Sequence, residues 1–579
     1  MLEDKDLVSV QKARQAVERA SQAAQALKSF TQEQVDSLVE AISRAGQKSA
    51  RRLAELAVEE TGYGKVEDKT VKNLFSAVDV ARYALGLKTV GVISENKDKK
   101  VIDIAVPVGV VVAIIPTTNP TSTAIFKIIC AIKGGNSVVV GPHPRAVRCT
   151  VETARVLYEA ALAAGAPQHC ITWLDQVTLE GTTELMRHKK TNLILATGGP
   201  GLVRAAYSSG KPAYGVGPGN VPAFIERSAD VPKAVRDVLA GKTFDWGVLC
   251  SSEQAIVCDR PVERQVLEEL KKNNAYLLND EEIRQVEKML VQGPGGTLNR
   301  GVVGQCPQKI ARLAGFSVPD EVICLVGRAK GVGKQHPLSM EKLSPILAFY
   351  GEDGWEAGCQ RCIEILSYGG LGHTMSIHSR DDRIILEFGL HKPAYRICVN
   401  TPATHGAVGL TTGVPPSMTL GCGSPGGNIT SDNITPMHLV NIKRLAYEIR
   451  PVDQIRFDSP SRAAAPVAAT SSSRPSPPAS SSSPKVDLES VRQVVRGVVE
   501  QYLDEKKKPW PQLSAPAPSP EPPTAQPEPA AKPPAVDFVC EDDVKQALRS
   551  GAKIVINDRT ILTPSARDAA AGQSILEWE

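Results

Sequence analysis

The strongest constraint on the fold of this 579-residue chain is an alternation of short apolar runs with longer segments of helical spacing. The apolar runs at 108–115 and 137–140 are separated by a helical pattern at 122–132. Strands that are apolar at every position suit a sheet covered on both faces, and helical crossovers join parallel strands. With further apolar runs at 171–174 and 192–196, the pattern predicts a doubly wound α/β domain.

A second, less regular alternation extends over 231–424, with candidate strands at 321–326 and 346–350. It predicts a second α/β lobe. The first hundred residues have mostly helical patterns, and residues 101–105 form a candidate hairpin arm.

Proline marks the limits of these lobes, because 17 of the 42 prolines fall in two windows, 459–484 and 509–534. The first window also holds ten serines, and neither window has enough apolar side chains to offset the entropy of ordering it. We therefore predict two linkers. They separate a body at 1–458, a short island at 485–508 and a terminal piece at 535–579.

Charge and composition exclude several classes of function. The 67 Lys and Arg nearly balance the 63 Asp and Glu, which gives no support for binding to nucleic acid or to an anionic membrane. Aromatic residues make up 4%, too few for a base-stacking surface. We expect no secretion and no membrane insertion, and the twelve scattered cysteines indicate a reduced, cytoplasmic protein. Because Cys359 and Cys362 have no second pair, no metal site is predicted.

The segment Phe244-Asp-Trp-Gly-Val-Leu-Cys250-Ser-Ser-Glu-Gln254 is the most informative for chemistry. Cys250 follows a turn that contains glycine and precedes a polar run that we expect to start a helix. A thiol at a helix N-terminus gains thiolate character from the helix dipole, as nucleophilic catalysis requires. The alternative is a buried structural cysteine, since free cysteines are among the most buried residues.

Two further segments end apolar strands with residues suited to binding. Asn119 lies between two prolines, where its amide could donate to a developing oxyanion; the alternative is a turn or a helix N-cap. The turn Thr197-Gly198-Gly199-Pro-Gly201 precedes a helical pattern, where backbone N–H groups could approach a phosphate; the alternative is a simple turn.

In this order, the segments resemble the aldehyde dehydrogenase superfamily over roughly residues 1–450. Together with the Cys250 segment, Gly141-Pro-His143-Pro, Gly217-Pro-Gly-Asn220 and Gly370-Leu-Gly-His373-Thr resemble its coenzyme-A-acylating branch, as found in bacterial microcompartments. The resemblance implies an aldehyde dehydrogenase-like fold of two α/β domains and a small oligomerisation arm. Its implied parts are a cofactor-binding domain at 1–230 with part of 425–458, the arm near 95–106, and a catalytic domain at 231–424.

The resemblance also assigns roles to single residues. Cys250 matches the nucleophile that attacks the aldehyde, and Asn119 with the backbone N–H of Cys250 would hold the oxyanion. His373 matches a family position near the active site, where it would touch substrate or coenzyme A; the alternative is a structural histidine with its hydrogen bonds satisfied. The positions that match the family's NAD-binding residues are Pro116, Thr117, His143, Thr197, Gly198, Gly199 and Glu341.

The chain departs from hydrolytic members of the family at Val216, where they carry a glutamate that activates water. Without that base, attack by water on a cysteine thioester should be slow. The thiol of coenzyme A is a better nucleophile toward the thioester, so we expect acyl transfer to coenzyme A. Ala146 stands where many NAD-specific relatives have an acidic residue, so NADP stays open as an alternative. We therefore predict NAD-dependent, CoA-acylating oxidation of a short aldehyde, propanal or acetaldehyde. The alternatives are a dehydrogenase that releases free acid and a non-catalytic scaffold.

The C-terminal region has the pattern of a targeting segment. Within the island, the apolar positions with helical spacing are Leu488, Val491, Val495, Val498 and Tyr502. An isolated helix of this length is marginal in water, so we expect it to fold on a partner. It resembles encapsulation peptides, which implies docking to shell or core proteins in a microcompartment lumen; the alternative is an oligomer contact on its own body. The terminal piece is patterned as helix, strand and proline-started helix. The family resemblance implies a homodimer or homotetramer.

Overall fold

A computed structural model describes residues 4–293 and 296–452 and, near the C-terminus, 536, 538–539, 541–557, 560–562, 564–570, 573 and 575–578. They fall in two compact units, Met1–Pro460 and Ser461–Glu579. The helix predicted at 485–508 and both predicted linkers lie outside the described residues.

Helices and strands alternate along the first unit. Its α-helices are α1 (Lys5–Leu27), α2 (Gln32–Thr61), α3 (Val66–Leu74), α4 (Ala81–Leu85), α5 (Pro120–Lys133), α6 (Val147–Ala163), α7 (Leu179–Arg187), α8 (Pro200–Tyr207), α9 (Val231–Thr243), α10 (Glu263–Lys272), α11 (Asp280–Leu290), α12 (Pro307–Ala314), α13 (Gly354–Gly369), α14 (Asp382–Leu390) and α15 (Ala403–Ala407). Its strands are β1 (Gly91–Asn96), β2 (Val101–Pro107), β3 (Val110–Ile114), β4 (Ser137–Gly141), β5 (Ile171–Trp173), β6 (Leu193–Thr197), β7 (Ala213–Val216), β8 (Val221–Ile225), β9 (Glu253–Asp259), β10 (Ala275–Leu277), β11 (Val291–Gln292), β12 (Thr297–Leu298), β13 (Cys324–Arg328), β14 (Ile346–Glu352), β15 (Gly372–His378), β16 (Ala394–Val399) and β17 (Val440–Ala446).

The first sheet has five parallel strands in the order β5-β4-β3-β6-β7. Every residue of β3 and β4 is buried, because α2, α5 and α6 cover one face while α1, α7 and α8 cover the other. The doubly wound domain predicted from the apolar runs is confirmed. The chain reverses its direction of travel across the sheet between β3 and β6, and ligands bind at the carboxyl ends of such neighbouring strands.

The second sheet has seven parallel strands in the order β10-β13-β14-β9-β8-β15-β16. Two apolar clusters cover its faces, one packed around Phe224 and the other around Ile256. The second α/β lobe predicted from the sequence is thus present. β8 pairs with β9, so the chain changes sheets between β7 and β8, ahead of the boundary predicted at residue 230. The glycine and proline residues at 217–219 allow that early crossing.

A small antiparallel sheet of β1, β2 and β17 forms the predicted arm. β17 comes from the predicted return segment at 425–458, and its Val440 lies opposite Pro107 of β2. The arm's contribution to oligomerisation stays a prediction.

The second unit has helices α16 (Glu541–Ser550) and α17 (Pro564–Ala570) and strands β18 (Phe538–Val539), β19 (Ile554–Ile556), β20 (Ile561–Leu562) and β21 (Leu576–Trp578). Val539, Val544, Ile556 and Ala566 belong to its small apolar core. The predicted helix, strand and proline-started helix are confirmed. Over the part of the chain that the structure describes, we find no helix with the length and apolarity needed to cross a membrane.

Candidate active site

A cavity of about 670 Å³ lies at the carboxyl ends of β3 and β6, the neighbouring strands between which the chain reverses its direction across the first sheet. Residues from both sheets line it. The predicted site residues among them are Pro116, Thr117, Asn119, His143, Thr197, Gly198, Gly199, Cys250 and Glu341. The structure therefore brings together nine positions that are spread over more than two hundred residues of sequence.

Cys250 is partly exposed to this cavity and lies in a turn directly before β9. The helix predicted after Cys250 is wrong, because the polar run that follows enters a strand that is buried at every position and pairs with β8 and β14. No helix dipole assists the thiol. The pKa of Cys250 is raised to about 12, chiefly by burial and also by the Glu341 carboxylate, while Arg396 acts in the opposite direction.

Asp245 anchors the loop that carries Cys250. Asp245 and the next residue, Trp246, both have φ of 51°, a left-handed conformation that costs free energy for residues other than glycine. The buried Asp245 carboxylate compensates by accepting hydrogen bonds from the Lys65 backbone N–H at 2.7 Å, from Lys69 Nζ at 3.0 Å and from Lys72 Nζ. Helix α3 and the residue before it thus hold the nucleophile loop in place.

The Asp245 carboxylate also packs against Gly64. A Cβ at Gly64 would lie 1.9 Å from Asp245 Oδ1, and the φ of Gly64 is +79°. Only glycine fits there without displacing the carboxylate.

Asn119 is the residue that precedes helix α5, and its side chain makes no helix-capping hydrogen bond. Its Nδ2 donates to Thr118 Oγ1 at 3.1 Å and to the Val248 carbonyl at 3.4 Å, two residues before Cys250. Its Oδ1 accepts a hydrogen bond from Lys72 Nζ at 2.5 Å. One N–H of this amide therefore faces the nucleophile loop, which is the direction required for donation to an oxygen bound near Cys250.

One end of the cavity is built from two strand ends. Pro116 and Thr117 follow β3, while Thr197 ends β6 and leads through Gly198 and Gly199 into α8. Helix α8 starts with proline and no side chain caps it, so its N-terminus is open to an anion. Among the described residues, Thr197 Oγ1 is buried without a hydrogen-bond partner, which leaves a polar atom available to a ligand. These features fit a dinucleotide pyrophosphate.

His143 lies in the turn after β4, on the opposite rim of the cavity. Its Nδ1 accepts a hydrogen bond from the backbone N–H of Arg145 at 3.1 Å. Burial lowers the pKa of His143, and Arg145 and Arg300 lower it further, so its imidazole is neutral beside two guanidinium groups. Ala146 is fully buried and brings no carboxylate to this corner.

Glu341 brings its carboxyl group to the lining of the cavity. Its Oε1 accepts a hydrogen bond from the Gly219 N–H at 2.9 Å, and burial raises its pKa to about 7. Among the described residues that line the cavity, it supplies the only carboxyl group. Val216, where hydrolytic relatives carry their water-activating glutamate, is buried at the end of β7.

His373 is fully buried at the start of β15 and is absent from the described lining of the cavity. Its Nδ1 lies 3.0 Å from Thr374 Oγ1, and its Nε2 has no hydrogen-bond partner within the described parts of the chain. Burial lowers the pKa of His373 to about 3, with Arg396 adding to the effect. The ring packs against Gly219, behind the backbone of Cys250.

Arg396 and Lys72 are residues at this site that sequence reasoning missed. Arg396 is buried on β16 and donates to the carbonyl oxygens of Ser431 at 3.0 Å and Gly372 at 3.3 Å. It makes no ion pair with any described carboxylate, and its charge interacts with the Cys250 thiol. No local sequence signal marks either residue, because each resembles an ordinary charge in its own element.

A much smaller cavity of about 10 Å³ borders the nucleophile loop at Phe244 and Leu249. Most of its lining is apolar. The lining residues are Val71, Lys72, Phe75, Phe244, Leu249, Thr404, His405, Val408, Leu410 and Met418. Its lining includes Leu249, the residue before Cys250, and Lys72, which donates to Asn119.

Three comparisons with known proteins agree with this geometry. The model of the "Aldehyde dehydrogenase family" matches residues 5–287. An acetylating aldehyde dehydrogenase from Geobacillus thermoglucosidasius is 51% identical, with a TM-score of 0.77 over 78% of this chain and 99% of that chain. A propionaldehyde dehydrogenase from Rhodopseudomonas palustris, solved with bound CoA and an acylated cysteine, is 27% identical, with a TM-score of 0.68 over 75% of this chain and 97% of that one.

The bifunctional aldehyde-alcohol dehydrogenase AdhE of Escherichia coli is 44% identical over 435 residues. That match covers 74% of this chain and 49% of the relative. The chain therefore spans about half the length of this relative.

Proposed function

Because this chain belongs to the aldehyde dehydrogenase family, we propose that it oxidises a short aldehyde to its acyl-CoA, using NAD⁺ and coenzyme A. One observation carries the proposal. Cys250 faces the large cavity beside the Asn119 amide, whereas Val216 replaces the carboxylate that would activate water. The proposed thioester therefore lacks that hydrolytic base and is released by a second thiol.

The first bond forms between Cys250 Sγ and the carbonyl carbon of the aldehyde. The thiol proton passes to solvent as the bond forms, and the carbonyl oxygen gains the electron pair. The Asn119 Nδ2 and the Cys250 backbone N–H donate to that oxygen, a type of stabilisation whose loss costs about 100- to 1000-fold in rate. In this proposal the dinucleotide is held by seven residues of the cavity lining: Pro116, Thr117, His143, Thr197, Gly198, Gly199 and Glu341. When bound, NAD⁺ takes up the hydride that leaves the adduct.

Acyl transfer then exchanges one sulfur for another. The sulfur of coenzyme A attacks the carbonyl carbon, the bond to Cys250 Sγ breaks, and Cys250 leaves as a thiolate. The proton of the incoming thiol passes to the departing Cys250 Sγ. We propose that His373 lies within reach of substrate or coenzyme A, because its Nε2 has no partner among the described residues. Only Gly219 separates the ring from the backbone of Cys250.

The small cavity supports a short, uncharged aldehyde such as acetaldehyde or propanal. Its volume of about 10 Å³ is that of roughly one water molecule, so a long acyl chain does not fit without displacing side chains. Lys72 is the cation in its lining, and Asp245 already pairs with it. The cavity thus has no free charge with which to select an anionic aldehyde.

NADH release from a panel of short aldehydes, with and without coenzyme A, tests the proposal. We expect sustained turnover only with coenzyme A, and a single burst of NADH without it. A Cys250→Ala variant should form no NADH, and mass spectrometry should find the acyl adduct on Cys250. Equal steady rates of free acid formation without coenzyme A would instead establish the hydrolytic alternative. Activity that survives in Cys250→Ala would contradict the role of the thiol. Complete inactivity of the intact chain would support the non-catalytic scaffold.

Parallel titrations with NAD⁺ and NADP⁺ test the cofactor. We propose NAD⁺, while the absence of a carboxylate at Ala146 and the nearby Arg145 and Arg300 leave NADP⁺ as the alternative. A KM for NADP⁺ below that for NAD⁺ would reverse the assignment.

We further propose that the amphipathic segment at 485–508 docks the enzyme to shell or core proteins of a bacterial microcompartment, while the body forms dimers or tetramers. The support is the sequence pattern between two proline-rich segments. A chain that ends at residue 458 should keep its turnover and lose co-localisation with a fluorescently labelled shell. Loss of turnover in that truncation would favour the oligomer-contact alternative, which size-exclusion chromatography with light scattering checks directly.

A further inference from the structure

Lys72 joins the two parts of the site that must cooperate during attack on a carbonyl. Its Nζ donates to Asn119 Oδ1 at 2.5 Å and also to Asp245 Oδ2 in the nucleophile loop. The three residues lie far apart in sequence, on α3, at the start of α5 and before β9. The Lys72 side chain is 4% exposed and that of Asp245 is fully buried, so water does not compete for these bonds.

The chemistry of the ammonium decides which way the Asn119 amide points. An ammonium group has three donors and no acceptor, so it binds the Oδ1 side of an amide and rejects the Nδ2 side. With Oδ1 held by Lys72, both N–H bonds of Nδ2 face Thr118 and the Val248 carbonyl, beside Cys250. If the amide were rotated by half a turn, an oxygen lone pair would face the oxyanion and repel it.

We infer that Lys72 is a positioning residue of the oxyanion site, which fixes the orientation of the Asn119 amide and ties it to the nucleophile loop through Asp245. This inference rests on the proposed function, in which Asn119 stabilises the oxyanion. In this role Lys72 acts through Asn119.

Lys69 provides a matched control on the same helix. Its Nζ donates to the same Asp245 oxygen at 3.0 Å and to the Thr118 carbonyl at 3.0 Å, and its side chain is 2% exposed. It makes no hydrogen bond to the Asn119 side chain among the described contacts. Removal of either ammonium costs Asp245 one partner, but only removal of Lys72 releases the amide.

The charges around Lys72 support its role as a donor. Burial lowers the pKa of Lys72 to about 7, and the nearby Lys69 ammonium lowers it as well, while the Asp245 carboxylate raises it. The Asp245 carboxylate therefore opposes the loss of the Lys72 proton. The carboxylate that anchors the loop is also the group that maintains the donor to Asn119.

A double-mutant cycle tests the inference on the full-length chain, with Lys72→Met, Lys69→Met and Asn119→Ala measured singly and in pairs. The readout is the rate of the first NADH burst at saturating NAD⁺. We expect Lys72→Met to lower the burst rate about 30-fold with little change in aldehyde KM, less than the full loss of an oxyanion donor. In the Asn119→Ala background, Lys72→Met should cost less than about threefold, whereas Lys69→Met should keep its full effect.

A second readout separates orientation of the amide from displacement of the loop. Alkylation of Cys250 by iodoacetamide forms no oxyanion, so Lys72→Met should change its rate by less than about threefold. An equal cost of Lys72→Met with and without Asn119 would overturn the inference, and so would an alkylation rate that falls in step with the burst. Where Lys72→Met does not fold, Lys72→Gln, which keeps an N–H donor, enters the same cycle. If the wild-type chain forms no NADH at all, the proposed function fails first.

Discussion

Gly219 and His373 are packed so closely that a Cβ on Gly219 would lie 3.0 Å from the imidazole ring. The same Cβ would lie 2.1 Å from the carbonyl oxygen of Cys250. One glycine therefore sets the spacing between the nucleophile backbone and the histidine behind it.

Gly219→Ala should abolish most activity. The added methyl group overlaps backbone that cannot rotate away, so Cys250 must move, and a displacement of about 1 Å costs on the order of 100-fold in rate. The kcat for NADH formation with acetaldehyde and coenzyme A measures this loss. Gly413→Ala is the control, because a Cβ there meets no atom within 4 Å, and it should stay within about twofold of wild type. Wild-type kcat in Gly219→Ala would show that the site tolerates the shift.

Glu341→Gln should make Cys250 more reactive in the absence of cofactor. The Glu341 carboxylate raises the pKa of the Cys250 thiol, so its removal lowers that pKa and increases the thiolate fraction at any given pH. We expect iodoacetamide to modify Cys250 about three- to tenfold faster at pH 8, measured by peptide mass spectrometry. Slower modification would contradict the electrostatic assignment.

Arg396→Met should have the opposite effect. The Arg396 guanidinium lowers the pKa of Cys250, so its loss raises that pKa and slows alkylation at pH 8 by about three- to tenfold. Arg396→Lys keeps the charge and should restore most of the rate, although it loses the bonds to the Ser431 and Gly372 carbonyls. An equally slow Arg396→Lys variant would show that the guanidinium acts through packing and not through charge.

Met418→Ala should extend the range of substrates toward longer aldehydes. Met418 lines the small cavity of about 10 Å³, and its truncation makes room for added methylene groups. The ratio of kcat/KM for butanal to that for acetaldehyde should rise by about tenfold or more, because each methylene is worth roughly 1–3 kcal/mol in such a pocket. An unchanged ratio would place the acyl chain elsewhere.

The pH dependence of stability follows from buried Glu253. Burial raises the pKa of Glu253 to about 7, against 4.5 for an ordinary glutamate, so the folded state favours the protonated carboxyl. Its contribution to stability is fully present below pH 4.5 and is lost as the pH rises through about 7. Urea unfolding at pH 5, 6, 7 and 8 measures this, and Glu253→Gln should show a flatter profile than wild type. Parallel profiles for the two proteins would assign the pH dependence to other groups.

The parts of the site that could be predicted from the sequence are those marked by residues close together along the chain. The motif around Cys250 and the prolines beside Asn119 were sufficient to predict these two site residues, because catalytic turns lie within a few residues of a strand end. The helix expected after Cys250 was wrong because Ser251 and Ser252 resemble a helix start. In the structure, pairing with β8 and β14 overrides that local preference. The change of sheet at β8 was not predicted either, because it depends on the pairing of β8 with β9 and not on the local sequence.

The sequence by itself determined the alternation of buried strands and helices, the nucleophile, the glycine-rich turn and the proline-rich boundaries, since each depends on neighbours along the chain. Only the tertiary structure decided the environment of those residues. Lys72 reaches Asn119 across 47 positions and Asp245 across 173, and neither contact leaves a trace in the local pattern. Burial and charge act through space, so the pKa of Cys250, the partners of Glu341 and the orientation of one amide became known only when the chain was folded.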